Sequence, residues 1–171
     1  MDKFNPTLLK WSDIKSPLLP GKEYLEHITK PEEKKLFMDS YNSYNPDPKI
    51  IQEIKDILEK TDASISLLIL GASWCGGCAR IDPQFMKIEE AVNSQKFIVR
   101  LLAGLKKRYP HTEGKSKYIR PKDAAEMIYD LTETPTIYFY KNDIGFARIE
   151  RDDLKTENHG TELVSILRTL L

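Results

Sequence analysis

Cysteine is scarce in this chain: 171 residues carry two, at Cys75 and Cys78. A disulfide-stapled scaffold needs more, so the fold must rest on a hydrophobic core, which a chain of this length can bury. Histidine is scarcer than a metal centre requires. His27, His111 and His159 stand at no ligand spacing, and two thiols alone leave zinc short of its usual four ligands. No cofactor and no metal is expected, and each histidine is read as a surface or loop residue. Excess charge is missing as well. Lys plus Arg equals Asp plus Glu at 26 each, which offers nothing general to nucleic acid or an anionic membrane. No apolar run approaches the roughly 20 residues of a membrane span. The opening Met1-Asp2-Lys3-Phe4-Asn5-Pro6 lacks a signal peptide's apolar core, so the expected compartment is the cytoplasm. In that setting a lone Cys-x-x-Cys points to catalysis before structure.

What is present is organised around Leu67-Leu68-Ile69-Leu70-Gly71-Ala72-Ser73-Trp74-Cys75-Gly76-Gly77-Cys78. It reads as a buried strand, a sharp turn and two cysteines entering a helix. Thiols at this spacing can close a disulfide within one helical turn. The helix N-terminus favours thiolate over thiol. The helix that follows has an apolar stripe at Cys78, Ile81, Phe85, Ile88 and Val92. That stripe predicts a buried Cys78 and an exposed Cys75. Pro83 falls inside the helix, where it removes a backbone bond.

Before the motif, residues 1–46 read as a helical extension packing on the core, with Trp11, Leu18, Leu19 and Tyr24 as anchors. Thr29 is the expected cap of a helix whose Leu36, Phe37, Tyr41 and Tyr44 share one side. Asp47-Pro48 opens a helix over 48–60, and 64–71 is a central strand. Beyond the motif, 96–103 reads as a strand. From Lys106 to Lys122 seven basic residues meet one acid, Glu113, in what reads as an exposed loop. A helix is expected over 121–131. Thr134-Pro135-Thr136 then leads into a hairpin, 137–140 with 146–150, and a last amphipathic helix occupies 161–171.

This order requires a mixed sheet with helices on both faces, an α/β fold. Three features in sequence, Trp74-Cys75-Gly76-Gly77-Cys78, Pro83 and Thr134-Pro135-Thr136, resemble the thioredoxin superfamily over about 63–171. The domain is then 47–171, a thioredoxin-like three-layer fold, with 1–46 as its extension. The resemblance implies a thiol–disulfide oxidoreductase that reduces protein disulfides. Cys75 is then the nucleophile and Cys78 the resolving thiol, with an unidentified electron donor as second partner. It also implies a cis Pro135 that sets the Thr134 backbone against an extended substrate, with Trp74 on the contact surface and Gly76-Gly77 tuning the potential. Two departures stand out. Ile69 occupies the position of the family's buried aspartate, the usual proton acceptor for the second cysteine. Glu150-Arg151-Asp152-Asp153 follows the hairpin where glycine is common. The expectation is a slow resolving step, with Glu133 or water as substitute acceptor. The competing reading is a thioredoxin-fold binding or chaperone module with regulatory cysteines.

Overall fold

The computed structural model describes residues 10–107, 113, 118–119, 131, 133–154 and 159–171. Its centre is β2 (Ile65–Leu70), whose six side chains are all buried. A strand buried on both faces carries no alternation, which is why its sequence is a near-continuous apolar run. On one side it pairs parallel with β3 (Phe97–Leu102), on the other antiparallel with β6 (Thr136–Lys141). β6 turns back into β7 (Ile144–Glu150), and with β1 (Leu18–Leu19) at the other edge the five-stranded mixed sheet has the order β1-β3-β2-β6-β7. The hairpin is irregular for a local reason: its register shifts between Phe139 and Tyr140. A bulge of this kind breaks the period-two pattern. Asn142 makes the turn at φ 53°, and its side-chain oxygen accepts the Ser64 N–H at 2.9 Å.

The parallel β2–β3 pair needs a long crossover, supplied by α4 (Gly76–Val92). α3 (Pro48–Lys60) begins as expected, with the Asp47 carboxylate accepting the Lys49 N–H at 2.8 Å and Pro48 in the first turn. α5 (Gly160–Leu167) continues into a 3-10 turn at Arg168–Leu170.

The segment ahead of residue 47 is not wholly helical. Leu18–Leu19 forms β1, an edge strand antiparallel to β3. Two helices follow, α1 (Gly21–His27) and α2 (Pro31–Ser43). Thr29 does not cap α2. Pro31 takes the first helical position, and Lys30 before it is extended at φ −80°, ψ 121°, as the residue preceding proline must be. Leu36 does not share the face of Phe37. It is 56% exposed and Phe37 is 0% exposed, one helical residue being about 100° of rotation. The segment is fastened at two points. Gly21 sits so close to α4 that a Cβ there would stand 2.7 Å from Met86 Cγ. Ser12 donates its N–H and its hydroxyl to the Asp143 carboxylate at 2.7 and 2.9 Å, and Trp11 stacks edge-on against Tyr140.

Within the basic stretch, β4 (Lys106–Lys107) pairs antiparallel with β5 (Tyr118–Ile119), so its base is a short ladder rather than open loop. The remainder of that stretch apart from exposed Glu113, and the helix expected over 121–131 apart from buried Leu131, lie outside the described residues. No helix among the described residues is long and apolar enough to cross a membrane.

Candidate active site

β2 delivers the chain to Gly71, and a turn closed by the Cys75 N–H on the Ala72 carbonyl at 3.2 Å swings it into α4. Cys75 is the N-cap of that helix. Its sulfur takes the place of a capping oxygen and accepts the Cys78 N–H at 3.2 Å. The sulfur therefore lies among unpaired backbone donors at the positive end of a 17-residue helix. From across the site the Thr134 hydroxyl donates to the same sulfur at 3.3 Å, and the Thr134 carbonyl lies 3.6 Å from it. The Thr134–Pro135 peptide is cis. Both thiols are free.

Cys75 is not exposed, contrary to expectation: it is 7% accessible, because the Thr134–Pro135 segment closes over the head of the helix. The two cysteines are driven apart in acidity. Cys75 is lowered to about 6, chiefly by the hydrogen bond from the Cys78 side chain. The Thr134 hydroxyl and the backbone N–H groups of Cys78 and Gly77 add to this, and burial opposes it. Cys78 is pushed well above the thiol range by burial, then by its bond to Cys75 and the charge of Asp82. One sulfur is a ready thiolate and the other a held thiol. This is the asymmetry that ordered two-step exchange requires.

The neighbouring residues are placed as follows. Trp74 is 36% exposed, its ring fixed by an indole N–H to the Leu105 carbonyl at 2.9 Å. It borders a cavity of about 610 Å³ whose far wall is Tyr24 and Ile28 of the N-terminal segment. Gly76 faces open space. Gly77 does not: a Cβ there would stand 3.1 Å from Arg151 Cδ, 3.8 Å from Pro135 Cδ and 3.9 Å from Cys75 Sγ. The Arg151 stem thus lies against the motif, over the position where the resembled family commonly has proline. Pro83 is buried within α4.

Scanned against family models, curated proteins and solved structures, the chain matches none.

Glu133, the suggested substitute acceptor, faces Arg151 at 3.6 Å. The acid beside Cys78 is Asp82, which sequence reasoning passed over. Its Oδ2 and the Cys78 Sγ lie 2.7 and 3.2 Å from the point where a Gly71 Cβ would stand. The signal was there: Asp82 is four residues beyond Cys78, hence on the same helix face, and it interrupts an otherwise apolar run from Ile81 to Met86 apart from Gln84. Burial raises the Asp82 carboxyl well above the ordinary range, and the Cys75 charge adds to the shift. His159, read as a surface or loop residue, lies in the turn ahead of α5 but is 0% exposed and stacks on Phe85 at 6.3 Å. Burial lowers its pKa. Among the described residues no three or more His, Cys, Asp or Glu side chains form a metal-holding group.

Proposed function

We propose that the protein is a thiol–disulfide oxidoreductase of thioredoxin-like fold, reducing disulfides of protein substrates in the cytoplasm. The observation that carries this reading is the pair of unequal thiols at the head of α4. Cys75 is lowered to about 6 and Cys78 held protonated beside it. At pH 7 most of Cys75 is then thiolate, against a few per cent for an ordinary thiol. In the first step the Cys75 thiolate attacks one sulfur of the substrate disulfide. A Cys75–substrate disulfide forms, and the second substrate sulfur departs with the electron pair. In the second step Cys78 loses its proton, attacks Cys75 Sγ, and closes the Cys75–Cys78 disulfide as the other substrate thiol leaves. Two electrons pass to the substrate, and an external dithiol donor returns them.

Thr134 and cis Pro135 lie over Cys75, in the right place for an extended substrate segment to pair with the backbone beside the reacting sulfur. The cavity beside Trp74 extends that surface toward the N-terminal segment. The test is dithiothreitol-driven reduction of insulin, followed by turbidity. The wild type is expected to accelerate precipitation, Cys75→Ser to abolish the effect, and Cys78→Ser to trap a covalent mixed disulfide. Full activity in Cys75→Ser would remove the reading and favour a binding module with regulatory cysteines.

A further inference from the structure

Cys78, Asp82 and Met86 follow one another at four-residue intervals and form one ridge of α4. The two ends of this ridge are covered by glycines of other elements. Gly71 of the turn after β2 lies against Cys78 and Asp82, and Gly21 of α1 lies against Met86. Side chains at either position would collide with it, so the ridge is sealed by close backbone approach. In the middle, Asp82 is 0% exposed, and neither carboxyl oxygen has a hydrogen-bond partner among the described residues. No described cation pairs with it. A buried carboxyl left without partners demands a reason, since native proteins satisfy nearly all such groups. The neighbour that gives one is the Cys78 sulfur, converging with Oδ2 on the space above Gly71.

We infer that Asp82 is the proton acceptor through which Cys78 becomes a thiolate in the resolving step. The inference rests on the dithiol reading above. The proton of Cys78 passes to the Asp82 carboxylate, directly or through one bridging water. The thiolate so formed attacks Cys75 Sγ. The Cys75–substrate bond breaks with its electron pair on the departing sulfur, and the Cys75–Cys78 bond forms. When the disulfide is reduced again, the carboxylic acid returns the proton to Cys78.

The surroundings give the step its timing. Among the described residues the titratable groups facing Asp82 are Cys75 and Cys78 of its own helix and cap, and Tyr24 from α1. Burial is the main force that keeps the proton on Asp82, and while Cys75 is a thiolate its charge adds to it. Formation of the mixed disulfide removes that charge. The balance at Asp82 then moves toward the carboxylate, at the stage where the proton of Cys78 needs an acceptor.

The experiment uses the reduced full chain and an aromatic disulfide, 5,5′-dithiobis(2-nitrobenzoate), in a stopped-flow instrument. Attack by Cys75 releases one coloured thiolate and resolution by Cys78 releases a second, so the two steps are seen separately. Asp82→Asn is expected to leave the first release within about twofold and to slow the second by about 100-fold, the usual scale for a lost general base. Its second-phase rate should climb steadily with pH where the wild type levels off, because only solvent base then remains. Asp82→Glu should recover part of the rate. A second phase in Asp82→Asn that matches the wild type, or is slower with the wild-type pH profile, overturns the inference and leaves the dithiol reading standing. A wild type that shows no second release overturns both.

Discussion

A carboxyl kept in such a place should cost stability, and the cost has a definite pH signature. Replacing Asp82 by Asn keeps the size and removes the ionisation. The unfolded chain releases the Asp82 proton near the ordinary value of about 3.9, whereas the folded protein holds it to higher pH. Between those two values the unfolded state binds fewer protons than the folded one, so wild-type stability falls as pH rises. The loss is about 1.4 kcal/mol for each pH unit over which the folded protein keeps a proton the unfolded chain has given up. In a chain of this size that corresponds to roughly 3–6 °C in Tm per unit. Asn has unmade hydrogen bonds of its own, an offset that does not vary with pH and is read at pH 4, where the two proteins differ least in charge. Urea unfolding of the reduced proteins at pH 4, 5.5, 7 and 8 should therefore show Asp82→Asn gaining on the wild type as pH rises, then holding a constant lead. In a Cys75→Ser background the thiolate charge is gone and the gain should span a narrower pH range. A difference that is flat across this range, or that moves against the variant, would mean that folded Asp82 is ionised and stabilised by a partner. The reasoning would then fail.

Three further outcomes follow from the same geometry. Iodoacetamide should alkylate the first thiol with a midpoint near pH 6. Thr134→Val should move that midpoint up by about one to two units, the hydroxyl bond to a charged sulfur being worth about 1.5–3 kcal/mol; an unmoved midpoint would exclude Thr134 from thiolate stabilisation. Gly71→Ala should destabilise by about 1–3 kcal/mol, because its Cβ would stand 2.7 Å from Asp82 Oδ2. Most of that loss should vanish in an Asp82→Ala background, giving a coupling of about 1 kcal/mol or more in denaturant unfolding, and additive losses would place the clash elsewhere. Trp74→Phe should lose about 1 kcal/mol with the indole bond to Leu105, measured by urea unfolding; an unchanged midpoint would mean that water replaces the bond at no cost.

The sequence was readable where local chemistry decides the backbone. Asp47-Pro48 predicts a helix start, and the structure begins α3 there. The apolar run at 65–70 predicts a strand buried on both faces, and β2 is one. Capping at Thr29 misled because Pro31 acts more strongly on the backbone than a distant hydroxyl, and Leu18–Leu19 because two residues carry no period from which to recognise a strand. The site divides in the same way. Cys75 and Cys78 stand out by spacing alone. Their unequal acidity comes first from the bond between them and the burial of Cys78, and then from Thr134, 59 residues further along, and from Asp82, which helical periodicity places on the buried face but whose polarity argues for solvent. A reading that looks for the resembled family's acid on the strand finds Ile69 and turns to Glu133 or water as the substitute acceptor. The turn at Gly71 supplies what such a reading misses: with no side chain there, the space is filled from the helix side, where the Asp82 carboxyl and the Cys78 sulfur converge on it. What the chemistry constrains is a volume beside Cys78 rather than a position in the chain, and a volume can be filled from either of the two elements that border it.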